Sequence, residues 1–263
     1  MPIPPAADKT TDDYALSVEN LGFAYEKSQH PVISGLTAKV KKGDIAAILG
    51  ANGCGKTTLL KLLVGALSPT QGALRAHGVI AYVPQQADIA FDYSVLDIVL
   101  MGRARQIGRF SLPGQKDRDA AIDALSRFGM SDFAPRLFRE LSGGERQLAL
   151  LARALVAQAD IILLDEPASA LDIRHQAVVL QWVHRLARDE GLTILFTTHH
   201  PHHAEAVAQH VLLMFGEQDY LWGDTRTVLT EKNLSRLYRA SIARLSFTFN
   251  GKTLETFAPV FDL

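Results

Sequence analysis

The sequence predicts an α/β fold in which a mostly parallel sheet is covered by helices. Three observations predict it. Segments 44–50 (DIAAILG), 160–167 (DIILLDEP) and 192–200 (LTILFTTHH) are short apolar runs, as strands buried on both faces require. Each ends in glycine or polar residues. Between them, at 56–65, 144–158 and 173–190, lie stretches of helical character. Strand and helix in alternation is the pattern of a sheet with helical crossovers.

Taken in order, residues 1–13 (MPIPPAADKTTDD) are expected to form a flexible tail. They lack the basic and then apolar order of a signal peptide. YALSVENLGFAY and LTAKVKKG alternate in polarity and predict an N-terminal antiparallel β subdomain. Residues 94–140 are polar, helical in composition and broken by RFSLPGQ. With the helix that follows, they predict an inserted α-helical subdomain over about 94–158. A C-terminal extension over about 226–263 contains RLSFTFNGKTLETFAPVF, which predicts a hairpin turning at Asn250 and Gly251. Residues 14–263 read as one domain.

Composition bounds the function. The 263 residues, 48% hydrophobic, suffice for one large core. Lys plus Arg number 27 and Asp plus Glu 28, so no electrostatic footprint for nucleic acid is expected. A single cysteine, Cys54, leaves no internal disulfide and fits a reducing compartment. No apolar run approaches the roughly 18 residues of a membrane span. A soluble cytoplasmic chain is expected, and a membrane role would need a protein partner.

GANGCGKTT, residues 50–58, fits G-x-x-x-x-G-K-[ST] with a strand before it and a helix after it. Gly50, Gly53 and Gly55 let the backbone curl so that its N–H groups converge on phosphate oxygens. Ala51, Asn52 and Cys54 complete the loop, and Thr58 follows it. The helix adds its positive dipole end. Lys56 adds a full charge near the β- and γ-phosphates, and the Thr57 hydroxyl suits Mg²⁺. A glycine-rich turn that merely caps a helix is the plainer reading, which the strand-loop-helix setting disfavours. Cys54 reads as a small residue in a tight turn. A redox switch is the second reading, because a helix N-terminus and Lys56 would lower a thiol pKa.

Asp165 and Glu166 end the strand in IILLDEP, at the edge where open α/β sheets bind ligands. Adjacent residues point to opposite sides, so the two acids can divide the work. Asp165 is assigned to Mg²⁺ and Glu166 to the attacking water of a hydrolysis.

LSGGERQ, residues 141–147, opens a helix with two glycines, each costing about 1 kcal/mol there relative to Ala. With the two preceding motifs it resembles the signature of ATP-binding cassette (ABC) ATPases. ASALD (168–172) resembles their D-loop, FTTHH (196–200) their switch-histidine strand, YVPQQ (82–86) their Q-loop and FAY (23–25) their adenine-stacking segment. The motifs stand in family order across roughly residues 16–225.

The resemblance implies a P-loop NTPase core with an antiparallel β part and a helical insert. It implies a head-to-tail dimer that sandwiches two ATP molecules. Each site would take Gly50–Thr58 from one chain and Ser142, Gly143, Gly144 and Glu145 from the other. It implies that Tyr25, rather than Phe23, stacks on adenine. Gln85 would contact Mg²⁺ or the lytic water, His199 would sense the γ-phosphate, and Asp172 would link the two sites. Ala168 stands where the family usually has Thr or Ser, with little effect expected. Pro201 and the turn after the strand are expected to spread the side chains of HHPHH (199–203), leaving His202 and His203 solvated.

Ser142 and Glu145 match a capping box, S-x-x-E, which leaves both glycines unexplained. Bare backbone at Gly143 and Gly144 is read as a second anion site for the partner's γ-phosphate. The separate cassette, and YSVLDIVLMGR (93–103), resemble the iron-chelate, haem, cobalamin and molybdate importers. That resemblance implies separate permease subunits, a periplasmic or surface substrate-binding protein, a metal chelate or oxyanion as cargo, and a place on the cytoplasmic face of the inner membrane. A non-transport ABC ATPase serving an assembly process such as iron–sulfur cluster building is the alternative.

Overall fold

The computed structural model describes residues 13–26, 30–85, 91–108, 111–216 and 218–260. Of the expected tail, 1–12 lie outside the described residues, as do Gln86 and residues 87–90 of the segment beyond it.

The main sheet has the order β5-β6-β7-β3-β8-β9. Its strands are β3 (Ile45–Gly50), β5 (Ile80–Val83), β6 (Ile161–Leu164), β7 (Thr193–Thr198), β8 (His210–Gly216) and β9 (Asp219–Asp224). All neighbours are parallel except β8 with β9. The three strands expected from apolar runs are β3, β6 and β7, at the centre of this sheet. Their side chains divide by the strand period of two. Ile45, Ala47 and Leu49 of β3, with Ile162 and Leu164 of β6 and Ile194 and Phe196 of β7, enter one core. Ala46, Ile48, Ile161, Leu163 and Leu195 enter the other.

The second core is closed by α1 (Lys56–Leu63) and an antiparallel sheet of order β2-β1-β4. Those strands are β1 (Tyr14–Phe23), β2 (Ile33–Lys41) and β4 (Gln71–Ala76). The first core is closed by helices: α2 (Val95–Leu100), α3 (Gln115–Arg127), α4 (Gly143–Val156), α5 (Ile173–Glu190), α6 (Pro201–Val207) and α8 (Glu231–Tyr238), which follows the short α7 (Thr225–Val228). α2, α3 and α4 pack on one another, so the polar middle of the chain folds as a helical group. Gly102 lies so close to α4 that a Cβ there would collide with the Arg153 carbonyl.

The C-terminal hairpin pairs β10 (Ile242–Phe249) with β11 (Lys252–Pro259). Asn250 and Gly251 have φ of 50° and 74°, the left-handed pair that a two-residue hairpin turn requires. The hairpin is held down by Arg244, which lies over the Phe257 ring and donates to the Leu229 carbonyl at 2.7 Å.

Candidate functional site

Parallel register brings four polar segments to one edge of the main sheet. Leu49 stands opposite Thr198, Leu164 opposite Phe196 and Val83 opposite Leu164. The loop after β3, the Asp165–Glu166 pair after β6, His199 after β7 and Gln85 after β5 therefore converge at the carboxyl ends of the strands.

The loop is built as a cradle. Gly53 (φ 78°) and Gly55 (φ 103°) adopt conformations closed to most side chains, and Gly55 caps α1. A Cβ on Gly55 would also lie 3.0 Å from Val32 Cγ1. Lys56 is buried and folds back, with Nζ donating to the carbonyls of Gly50 at 3.0 Å and Ala51 at 3.2 Å. Nζ also lies 3.7 Å from Glu166 Oε1. The Tyr25 hydroxyl lies 3.2 Å from Thr58 Oγ1, and its ring meets Phe23 edge to face at 4.9 Å. Phe23 is buried whereas Tyr25 is 44% exposed, so of these two aromatics Tyr25 presents ring surface to solvent.

Asp165 is buried among hydroxyls. Its Oδ2 accepts from Thr57 Oγ1 at 2.9 Å and from the Tyr82 hydroxyl at 3.3 Å, and its Oδ1 accepts from Thr197 Oγ1 at 2.7 Å. Burial, reinforced by the Asp165 charge, pushes the Tyr82 phenol up to about 12, so it remains a donor. This all-oxygen donor set fits a hard cation such as Mg²⁺.

Glu166 follows directly in the chain. It holds φ at 47°, a left-handed conformation costing a non-glycine residue roughly 1–2 kcal/mol. Its N–H donates to Thr197 Oγ1 at 2.8 Å, so one threonine locks both acids. Glu166 Oε1 meets Lys56 Nζ and His199 Nε2, and Oε2 accepts from Gln85 Nε2 at 3.0 Å. Lys56, Gln85 and His199, predicted from separate motifs, thus surround one carboxylate.

The signature segment lies beside Gln85 and Glu166 but apart from the loop. Among the described residues no hydrogen bond or ion pair joins 142–145 to 50–58. Ser142 N–H donates to Glu145 Oε2 at 2.7 Å and Glu145 N–H to Ser142 Oγ at 3.4 Å, completing the capping box. The bond from the Ser142 N–H, with the Ser142 side chain adding, holds the Glu145 carboxyl below its usual range. Gly143 is exposed. Gly144 is buried, and a Cβ there would run into the His175 ring. That ring is held by Asp172, whose carboxylate oxygens lie 2.9 Å from Nδ1. Within the chain the space beside Gly144 is thus taken by the His175 side chain, whereas Gly143 is open to solvent. A cleft of 380 Å³ beside α4 is lined by Gly143, Gln147, Gln85 and Glu166. Among the described residues, Gln147 Nε2 is the buried side-chain nitrogen without a hydrogen bond.

A sequence profile of the ABC transporter family matches residues 33–169. The molybdate import ATP-binding protein MolC of Haemophilus influenzae is 42% identical over 247 residues, covering 94% of this chain and 97% of that protein. The manganese transport system ATP-binding protein MntB of Bacillus subtilis is 34% identical over 235 residues, covering 86% and 92%. The chain belongs to the ABC transporter family. A solved ABC transporter of the metal-chelate type, in an inward-facing conformation, superposes with a TM-score of 0.91 at 42% identity, covering 95% of this chain and 99% of that one. The chain is thus an ABC ATPase, and the edge of its main sheet is the candidate site.

Two expectations are corrected within this ABC cassette. Burial raises the Cys54 thiol pKa, outweighing the opposing charge of Lys56, against the lowering that the second reading of Cys54 required. The sulfur fills the space where a Cβ on Gly50 would sit. The histidines after β7 are gathered rather than spread. The rings of His200, His202 and His203 lie 4.5–5.2 Å apart, and His203 is buried instead of solvated. Both His203 nitrogens have partners, Thr198 Oγ1 and Gln176 Oε1. Among the described residues no group of three His, Cys, Asp or Glu side chains is placed to hold a metal.

Three residues at the ABC site were not singled out from sequence. Tyr82 and Thr197 hold the acids, and the Tyr238 hydroxyl of α8 donates to the His199 carbonyl at 2.8 Å. Tyr82 and Thr197 lie inside the YVPQQ and FTTHH motifs and carried that much signal. Tyr238 is 39 residues from His199 and carried none.

Proposed function

We propose that this chain is the ATP-hydrolysing subunit of an ABC importer, acting as a head-to-tail dimer on separate membrane permease subunits. One observation carries the catalytic part: Lys56, Gln85 and His199 all contact Glu166, whose neighbour Asp165 bonds the Thr57 hydroxyl. In this reading Gly50, Ala51, Asn52, Gly53, Cys54, Gly55, Lys56, Thr57 and Thr58 cradle the phosphates, and Tyr25 covers adenine. Thr57, Asp165 and Gln85 hold Mg²⁺, which offsets phosphate charge. Glu166 orients and deprotonates the attacking water, and His199 shares the proton load and reads the γ-phosphate. Lys56, released from the Gly50 and Ala51 carbonyls, stabilises charge on the phosphate being transferred.

The separation of Ser142, Gly143, Gly144 and Glu145 from the chain's own loop supports assigning them, with Asp172, to a second copy's nucleotide. Among the described residues no helix is long and apolar enough to cross a membrane, so the path for cargo belongs to permease subunits. The names of the relatives support a metal oxyanion, metal ion or metal chelate as cargo, delivered by a substrate-binding protein outside the membrane. The chain then sits peripherally on the cytoplasmic face. Exposed Phe91, Tyr93 and Met101 support a permease contact in the helical group.

Glu166→Gln tests this reading. The amide keeps the shape but cannot take a proton, so ATP should bind with unchanged affinity, turnover should be lost, and a dimer holding ATP should accumulate in size-exclusion chromatography. Hydrolysis at the wild-type rate would overturn the role of Glu166.

A further inference from the structure

A run of side-chain hydrogen bonds joins the turn before α5 to the loop that carries His199. Gln176 Nε2 donates to the Leu171 carbonyl at 2.9 Å. Gln176 Oε1 lies 3.2 Å from His203 Nε2. His203 Nδ1 lies 3.1 Å from Thr198 Oγ1, and that oxygen accepts from the His200 N–H, also at 3.1 Å. Thr198 and His200 flank His199 in the chain.

The polarity follows from the carbonyl end. A carbonyl can only accept, so the Gln176 nitrogen must face Leu171 and its oxygen must face His203. That oxygen needs a donor, which places the His203 proton on Nε2. Burial, with His202 and His200 adding to it, pulls the His203 pKa down to about 4, so the ring is neutral and Nδ1 is an acceptor. Thr198 then donates to Nδ1 while accepting from the His200 N–H. Every donor from His200 to Leu171 points the same way. His203 and Thr198 are 2% and 4% exposed, so water cannot readily replace a missing member.

We propose that Gln176 and His203 are positioning residues for ATP hydrolysis, fixing the Leu171–Asp172 turn and the His199 loop relative to each other. The proposal rests on the reading of Glu166, His199 and Asp172 given above. Asp172 faces the second copy in that reading, whereas His199 acts within its own chain. The hydrogen-bonded run is the rigid link between them, so docking of the second copy is felt at His199. The bonds also account for a buried histidine beside two others without invoking a metal, since neither ring nitrogen of His203 is left over.

The test uses the full-length chain at temperatures where each variant is folded by thermal melting. ATP turnover is read beside equilibrium ATP binding. His203→Leu and Gln176→Leu should each lower kcat about tenfold, the effect of one orphaned buried partner. ATP affinity should be unchanged. The double variant should be no slower than the worse single variant. His203→Gln, which keeps one donor and one acceptor, should recover most of the lost turnover. Wild-type kcat in both Leu variants, additive losses, or equal losses in His203→Gln and His203→Leu would each overturn the proposal. If His203→Leu does not fold, Gln176→Leu and Gln176→Glu decide, since the latter keeps the acceptor for His203 and loses the donor to Leu171. Loss of turnover in Glu166→Gln with none in Gln176→Leu removes this inference and leaves the catalytic reading standing. Unchanged turnover in Glu166→Gln removes the reading beneath it.

Discussion

At the scale of single residues, Thr197 shows how one hydroxyl sets two functions. It donates to Asp165 and accepts from the Glu166 N–H, so one side chain ties down both acids. Glu166 accepts a left-handed backbone in return for its contacts with Lys56, Gln85 and His199. Cys54, inside the cradle, fills space beside Gly50. Because burial raises its thiol pKa, little thiolate exists at neutral pH. Alkylation by a maleimide, followed by mass spectrometry, should be slower at neutral pH than for a free cysteine and should accelerate as pH rises. A rate equal to that of a free thiol would contradict this. The two signature glycines should also part company. Gly143→Asp should leave the melting temperature and ATP binding near wild type and block hydrolysis. Gly144→Asp drives a side chain into the His175 ring and should cost about 1–3 kcal/mol of stability by overpacking. Equal melting temperatures for the two variants would show that His175 yields freely.

At the scale of elements, the notable link is between α8 and the turn after β7. The Tyr238 hydroxyl donates to the His199 carbonyl from a half-buried position, and burial drives its phenol pKa above the usual value. The C-terminal extension therefore steadies the histidine that contacts Glu166. Tyr238→Phe keeps the ring and removes the donor, leaving a carbonyl without its partner. Stability should fall by about 1–2 kcal/mol, and turnover should fall while ATP affinity holds. Chemical denaturation and steady-state kinetics check the two effects. Unchanged turnover would reduce α8 to a packing element. The helices needed for the site were mostly legible, because α1, α4 and α5 carry helical periodicity, and Ser142 and Asp172 cap α4 and α5. β4 and β5 were not, because QGALRA and IAYV are short and only partly buried. Their strand character comes from pairing with β1 and β6.

At the scale of the whole molecule, the phosphate loop and the signature belong to one chain but share no hydrogen bond or ion pair among the described residues. A head-to-tail pair would complete two sites, each from the loop of one chain and the signature of the other. Mixing Lys56→Ala chains with Gly143→Asp chains tests this directly. Each variant alone should be inactive. A mixed pair has one site with both lesions and one with neither, so mixing should restore hydrolysis. No recovery after verified exchange of chains would mean that each site is built within a single chain.

The sequence by itself determined the α/β class, the central strands β3, β6 and β7, the cradle, the acids and the order of the motifs. These depend on local patterns: strand burial on both faces, helical period, and glycines where the backbone must curl. Only the tertiary structure decided that Glu166 gathers Lys56, Gln85 and His199, that His175 takes the space beside Gly144, that the Cys54 pKa rises, and that His203 is buried and doubly bonded. Each of these depends on which side chains distant segments bring together and on the water that packing removes, quantities that no window along the chain contains.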